Sequence, residues 1–252
     1  MKSPSVKRNL FKPDSLSKDS IDIEAVRSQT PGVLERVHLN NAGSGLMPQC
    51  VFSSMIEHIE HIELEGHIDG YEAADEKAHM LDALYDDVAS LIDADRDEVA
   101  IMDNATIAWD HAFYAMKVKA DDRILTSQAE YAANYVAFLQ RARKEALVID
   151  VVPNDNNGGL DLAALEQMID ERVALIPITW IPTNGGLVNP AAQVGAIAKR
   201  FKIPYLLDAC QALGQMPVDV RALGCRLFVC HWQKVLACTP QYWLFVCAQV
   251  TD

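Results

Sequence analysis

The sequence has no long apolar run and no apolar block near its start. No stretch approaches the roughly 18 residues that a membrane-spanning helix needs, and the opening MKSPSVKRNLFKPDSL has lysines but lacks the apolar core of a secretory signal. These absences predict a cytoplasmic chain without a membrane partner. Residues 1–20 are polar, with Ser and Lys interleaved, and predict a mobile N-terminal arm or a segment that only a partner orders.

Basic residues and regularly spaced cysteines are scarce as well. Lys and Arg number 22 against 35 Asp and Glu, which gives a formal net charge of −13. Proteins bind a phosphate backbone by displacing its counterions with Lys and Arg, so nucleic acid is not an expected partner. The six cysteines have no regular spacing, which in a chain of this length favours reduced thiols over a disulfide framework.

No metal site is predicted, although two groups of potential ligands occur. Cys225, Cys230 and Cys238 lack the paired spacing of zinc ligands. The histidines of EHIEHIELEGH alternate with glutamates, a pattern more typical of a solvated helix face. Neither group therefore indicates metal binding.

The sequence does contain a regular alternation of short apolar runs and amphipathic segments after residue 97. The runs are EVAIMD, DRILTS, ALVIDVVP, VALIPITW and PYLLDA, and each segment between them is long enough for a crossover helix. Two further helices are predicted upstream, after Pro48 and over YEAADEKAHMLDALYDDVASLIDA. Buried strands with helical connections predict an α/β fold, with a mainly parallel sheet covered by helices on both faces.

Ligands of such sheets bind where the strands end, so the residues after each run are candidates for a site. Asn104, Ala105 and Thr106 lie between a strand and a helix start, where backbone N–H groups and the helix dipole favour a phosphate. A plain Asn or Thr helix cap is the commoner explanation of such a motif.

Two other loops offer weaker signals, each with a structural alternative. Glu130, Tyr131 and Asn134 follow the run DRILTS, although a buried tyrosine is usually part of the packing. Thr183 and Asn184 precede two glycines, which let the backbone approach a ligand. A plain turn explains this second loop equally well.

Asp208 gives a stronger signal. It closes an apolar run that should be buried, and a buried carboxylate needs a partner to offset its desolvation. A protonated heterocyclic nitrogen would serve. A helix cap or a salt bridge is the alternative.

Together these motifs resemble one family. VHLNNAGSGLMP, DNAT, TNGGLVNPAAQVGAIAK and above all LLDACQALGQMPVDVRALGC are similar to the class V aminotransferases, a family of pyridoxal 5′-phosphate (PLP) enzymes that includes cysteine desulfurases. The loops are most similar to its cysteine-desulfurase-like, isopenicillin-epimerase-like and ergothioneine C–S lyase-like branch. The resemblance covers roughly residues 36–225 and implies a PLP-dependent transferase-like large domain over residues 21–225.

The resemblance also implies roles for single residues. Asp208 would bind the PLP pyridine nitrogen and keep it protonated, and Gln211, one helical turn on, would hydrogen-bond the phenolic oxygen. Ala105 and Thr106 would contact the phosphate. Tyr131 falls where many relatives have a histidine stacked on the ring, so stacking would survive but any acid/base role of that histidine would not.

Two further assignments complete the implied site. Thr183 or Asn184 would lie beside the phenolic oxygen, and Asn184 is assigned to the cofactor with that alternative left open. Lys234 is the expected catalytic lysine: it would hold PLP covalently, release it to the substrate amine and then move the α-proton.

The segment around Lys234 departs from the family. Relatives read close to DFLSATGRKFLRGPRGTGFLYVRR where this chain has RLFVCHWQKVLACTPQYWLFVCAQ, and the two share almost only the lysine. Reading the codons one nucleotide later converts Trp232 and Trp243 into glycines, as in the family, and permits agreement at nearly every other position. We infer an inserted base near the Cys225 codon, so residues 226–252 are predicted to be read out of frame.

The resemblance implies a PLP-dependent lyase that acts on an amino acid and breaks a carbon–sulfur bond, as cysteine desulfurases do. Epimerases and aminotransferases share the quoted motifs and are the alternative. Family members form homodimers and have a small C-terminal domain, which supplies the desulfurase cysteine and an arginine for the substrate carboxylate. We expect that domain to be missing here, so an inactive truncated remnant is a further alternative.

Overall fold

The computed structural model describes residues 21–60 and 82–231, together with the backbone of a strand near the C-terminal end. Each predicted apolar run forms a strand, and two more strands lie within residues 226–252. The strands are β1 Val99–Met102, β2 Arg123–Ser127, β3 Val148–Val152, β4 Val173–Thr179, β5 Tyr205–Asp208, β6 Leu227–Val229 and β7 Trp243–Val246.

The described strands form one seven-stranded sheet in the order β1-β7-β6-β5-β4-β2-β3. The strands from β6 to β3 in this order pair in parallel, as helical crossovers require. β7 runs antiparallel to both β1 and β6. The mainly parallel sheet is therefore confirmed. Its register sets Asp208 opposite Thr179 on one side and Val229 on the other, so β4, β5 and β6 end at a common edge.

Helices connect the strands, and several begin at a side-chain cap. The Asp161 and Asp219 carboxylates accept hydrogen bonds from first-turn backbone N–H groups of the helices that follow them. No helix within residues 21–60 or 82–231 has the length and apolar character needed to cross a membrane. The helices are α1 Ile23–Ser28, α2 Gly32–Glu35, α3 Gln49–Ile59, α4 over 82–92, α5 Ala105–Ala115, α6 Ala132–Glu145, α7 Leu162–Met168, α8 Ala191–Phe201 and α9 Val220–Leu223.

The core consists of two apolar clusters, one on each face of the sheet. Side chains alternate between the faces along a strand, so β5 contributes Leu207 to one cluster and Leu206 to the other. Helices α4, α7 and α8 cover the first cluster. Helices α5 and α6 cover the second, where Trp109, Phe113 and Phe138 are almost fully buried. The predicted helical cover on both faces is confirmed.

Helices α8 and α9 pack so closely that only glycine fits at position 195. A Cβ atom on Gly195 would lie 1.9 Å from the carbonyl oxygen of Leu223. Gly224 follows with a φ of 63°, the left-handed conformation that ends α9. This close packing directs the chain from α9 into β6.

The N-terminal part of the described chain is less buried than the sheet. Helix α3 begins directly after Pro48, as predicted. However, its Phe52 and Ile56 side chains are exposed, and so are Leu34, Val37 and Leu39. No described part of the chain covers these apolar side chains.

Candidate active site

A cavity of about 640 Å³ opens at the edge of the sheet where the parallel strands end. Its walls come from the turns after β1, β2, β4, β5 and β6, and from Gly43 in the N-terminal segment. Eight residues singled out in the sequence meet here, namely Asn104, Ala105, Thr106, Tyr131, Asn134, Thr183, Asp208 and Gln211. The position of the cavity agrees with the general rule for open α/β sheets.

Asp208 is the last residue of β5 and is only 4% exposed. Its Oδ2 accepts a hydrogen bond from Asn134 Nδ2 at 2.8 Å, and its Oδ1 accepts one from the Cys210 backbone N–H at 2.9 Å. No described Lys or Arg pairs with it, so the salt-bridge alternative is not observed among these residues. A buried carboxylate that borders a cavity whose described lining has no Lys or Arg can hold a protonated nitrogen.

The start of α5 forms another wall of the cavity. Asn104 caps this helix, and its side chain accepts a hydrogen bond from the Ile107 backbone N–H at 2.8 Å. Ala105 and Thr106 occupy the first two helical positions, whose N–H groups have no partner within a helix. The helix cap and the anion site expected here are thus compatible, because the cap uses one N–H group and leaves the first two for a ligand.

Gln211 was expected one helical turn after Asp208, but it lies in a turn that follows β5 and not in a helix. Its Nε2 donates to the Ala42 carbonyl oxygen at 3.0 Å and lies 3.5 Å from Thr183 Oγ1. Thr183 borders the cavity, whereas Asn184 is exposed and is not among the described lining residues. Gln211 therefore links the loop after β4 to the N-terminal segment.

Tyr131 immediately precedes α6 and borders the cavity. Its side chain is 42% exposed, so it is not a buried packing residue. An aromatic ring with an exposed face at a cavity can stack on a flat ligand.

Glu130 received no role from the sequence, yet the structure connects it to Asp208. The Asn134 side chain donates to Glu130 Oε1 at 3.1 Å and to Asp208 Oδ2 at 2.8 Å. Glu130 also accepts from the hydroxyl groups of Thr126 and Thr179 and from the Thr179 backbone N–H. The contacts of Glu130 with Thr179 and of Asn134 with Asp208 join residues 49 and 74 positions apart, so no local pattern could have indicated them.

The electrostatics of Glu130 follow from this enclosure. Burial raises the pKa of its carboxyl from 4.5 to about 7, and the negative charge of Asp208 adds to the shift. Hydrogen bonds from Thr179 and Asn134 oppose it because they favour the charged form. Glu130 can therefore gain or lose a proton near neutral pH.

His231 follows β6, is 6% exposed and borders the cavity. In the segment that relatives read as DFLSATGRK, the smaller residue threonine stands at this position. Lys234, the expected catalytic lysine, lies outside the described residues.

The donor set of the cavity fits a phosphate ester of a protonated nitrogen heterocycle. Ala105 and Thr106 offer N–H donors for the phosphate, and Asp208 offers an anionic acceptor for the nitrogen. Among the described lining residues there is no Lys or Arg. No described Lys or Arg thus supplies the positive charge that would balance Asp208.

Comparison with known proteins agrees with this geometry. The sequence model of the family described as Aminotransferase class-V matches residues 37–239, most of the chain. The chain belongs to the aminotransferase class-V family. The resemblance drawn from the sequence motifs is confirmed.

Two curated class-V relatives show how much of such a protein this chain represents. The probable cysteine desulfurase of Methanothermobacter thermautotrophicus is 28% identical over 201 residues, which cover 80% of this chain and 50% of that protein. The cysteine desulfurase of Serratia proteamaculans is 29% identical over 226 residues, covering 86% and 56%. The chain therefore spans about half the length of the curated relatives it matches.

A solved structure confirms the class-V fold. A C-DES mutant with glycine covalently linked to the PLP cofactor superposes with a TM-score of 0.79 at 19% sequence identity. The match covers 87% of this chain and 59% of that one. At this identity the likeness establishes the α/β fold of the PLP-dependent large domain.

Proposed function

We propose that this chain carries the cofactor-binding part of a PLP-dependent lyase that acts on an amino acid and breaks a carbon–sulfur bond. The observation that carries the proposal is the buried Asp208 carboxylate, which borders the cavity and pairs with no described Lys or Arg. The start of α5 borders the same cavity. One cavity thus offers the two contacts that PLP requires at its ring nitrogen and its phosphate.

When bound, PLP supplies an electron sink for the charge that develops on the substrate. Asp208 would keep the ring nitrogen protonated, because a neutral nitrogen would leave the buried carboxylate without a counter-charge. The N–H groups of Ala105 and Thr106 would bind the phosphate. Gln211 would border the phenolic oxygen with Thr183, which the cavity lining supports better than Asn184.

Lys234 is the proposed covalent anchor of the cofactor, and its Nζ would carry the proton taken from the substrate α-carbon. This assignment rests on the family motif, since Lys234 lies outside the described residues.

The carbon–sulfur specificity rests on the relatives, which are named cysteine desulfurases. Burial raises the pKa of the Cys225 and Cys230 thiols, so both stay protonated at neutral pH and are poor nucleophiles. We therefore assign the sulfur-accepting role of a desulfurase reaction to neither of these two cysteines.

A homodimer in the cytoplasm is the proposed setting of this activity. The exposed apolar side chains of Leu34, Val37 and Leu39 support the dimer, because a folded protein rarely leaves such a group in water.

Tyr131 favours a second candidate, an epimerase or aminotransferase. A phenol group does not replace the acid/base function of the histidine that many relatives have at this position. A reaction that needs no proton from this position would suit the residue better.

The test is a PLP titration followed by visible absorption, run with a product assay on cysteine and on other amino acids. Sulfide with alanine indicates a desulfurase, a D-amino acid an epimerase and a keto acid an aminotransferase. A frame-restored protein that folds but stays colourless with PLP contradicts the proposed function.

A further inference from the structure

The Glu130 carboxylate ties together the ends of two neighbouring strands. Thr126 of β2 donates its hydroxyl to Glu130 Oε2 at 3.0 Å, and the Thr179 backbone N–H of β4 donates to the same oxygen at 3.1 Å. The Tyr131 backbone N–H donates to Oε1 at 3.0 Å. Glu130 is thus fixed at the strand edge that forms the cavity.

Asn134 extends this network to β5. It is 3% exposed, and its side-chain Nδ2 donates to both Glu130 Oε1 and Asp208 Oδ2. An amide group has two N–H donors, so each carboxylate receives one. The reversed orientation would set the amide oxygen against two carboxylates. The two carboxylates therefore fix which way the amide points.

We propose that Glu130 is a positioning residue of the cofactor site: through the Asn134 amide it orients the Asp208 carboxylate and places a second negative charge behind it. This inference rests on the proposed function for the identity of the cofactor, but the network itself is a property of the protein alone. Glu130 does not border the cavity, so it acts through Asn134 and Asp208 and not on the cofactor.

The charged and titratable groups around Glu130 decide the sign of its effect. Asp208 and Tyr205 face it from β5, and Tyr131 is its neighbour in the chain. The residues that face it from β2, β4 and α6 are Thr126, Thr179 and Asn134, which do not titrate. Cys230 lies near enough to Asp208 for the negative charge of Asp208 to raise the pKa of its thiol. His231 borders the same cavity as Asp208.

No described Lys or Arg pairs with Glu130 or Asp208, and a protonated ring nitrogen at Asp208 would place a positive charge beside this network. Loss of the Glu130 proton would then strengthen the binding of that ring, by Coulomb attraction through a partly desolvated site.

The first experiment needs no cofactor. In the 252-residue protein, the Asn134 side-chain amide is followed by ¹⁵N NMR as the pH is varied. Its resonance is expected to titrate with a midpoint near that of Glu130, about 7. Glu130→Gln should abolish the titration, and Glu171→Gln, at an exposed position, should leave it unchanged. An Asn134 resonance that does not titrate overturns the proposal.

Thr126→Val serves as a second variant in case Glu130→Gln does not fold. It keeps the shape of the side chain and removes one donor to the charged carboxylate. The midpoint of the Asn134 titration should then rise by about half a pH unit, because charged Glu130 loses a hydrogen bond. An unchanged midpoint counts against the network.

The second experiment measures binding of pyridoxamine 5′-phosphate, which carries the ring and phosphate but cannot bond to a lysine. The ratio of the wild-type affinity to the affinity of Glu130→Gln should be near one at about pH 5.5, where Glu130 is protonated. It should rise to about ten by about pH 8, where Glu130 is charged. A flat ratio in proteins that do bind the probe overturns the inference. Absence of binding in the wild type overturns the proposed function, and the NMR titration then decides the inference alone.

Discussion

Asp208 is held by two neutral donors, the Asn134 amide and the Cys210 backbone N–H. Asp208→Asn removes the negative charge while nearly keeping the shape of the side chain. PLP affinity should therefore fall at least about tenfold, which corresponds to a loss of about 1.4 kcal/mol of attraction between the carboxylate and the ring nitrogen. The free energy of unfolding should change by less than about 1 kcal/mol, since a desolvated charge is lost together with its hydrogen bonds.

Absorption titration and urea denaturation measure the two effects of Asp208→Asn. Asp103→Asn is the matched control, because it makes the same change at an exposed position near the start of α5. Equal PLP affinity for both variants would remove Asp208 from the cofactor site.

Glu130 should make stability depend on pH. Its folded pKa of about 7 lies above the ordinary value of 4.5, so the folded protein binds more protons between these values. The stability it contributes is present below about pH 4.5 and is lost as the pH rises through about 7. The loss amounts to about 3 kcal/mol at most, from 1.36 kcal/mol per pKa unit.

Urea unfolding of the wild type and of Glu130→Gln across this pH range isolates that effect. Other titrating groups contribute equally to both proteins, so the difference between the two curves is the observable. Parallel curves would mean that Glu130 has an ordinary pKa in the folded protein.

Ala105, Thr106 and Asp208 border the cavity, and local patterns could single them out because each lies where a strand ends or a helix begins. Such patterns could not predict the contact between Glu130 and Thr179, which are 49 positions apart and meet only because β2 and β4 are neighbours.

At the scale of the helices, Gly195 should be intolerant of substitution. Gly195→Ala forces a Cβ into the Leu223 carbonyl oxygen, which must move the α9 backbone. We expect a loss of about 1–3 kcal/mol in the free energy of unfolding, as for other overpacked sites. Gly159→Ala is the control, since its added Cβ meets nothing closer than 3.9 Å, and chemical denaturation compares the two. Equal free energies of unfolding for Gly195→Ala and Gly159→Ala would show that α8 and α9 can move apart without loss of stability.

The strands and helices between residues 97 and 208 were predictable because apolar runs and amphipathic segments alternate there. The course of the chain just after Asp208 was not. Its Oδ1 accepts the Cys210 backbone N–H, a local hydrogen bond that favours a turn over the expected helix. The antiparallel direction of β7 also has no local signature, since strand direction depends on the connection.

For the whole molecule, the prediction to test is that residues 226–252 are read out of frame. Buried His231 borders the cavity where the frame-restored sequence has threonine, so the restored protein should bind PLP at least about tenfold more tightly than the 252-residue chain. Parallel absorption titrations measure this, and DNA sequence beyond the stop codon shows whether the shifted frame continues. Tight PLP binding by the 252-residue chain would make residues 226–252 a genuine variant.

The position of β7 also sets the order in which the site can be assembled. Among the described strands, β1 joins the sheet only through β7, with Val99 paired to Val246. The ribosome synthesises β1 well before β7, so β1 leaves the ribosome without its partner strand and can pair only after β7 has been made. Helix α5, which carries Ala105 and Thr106, follows β1 directly. During synthesis the phosphate-binding wall should therefore be the last part of the cavity to become fixed.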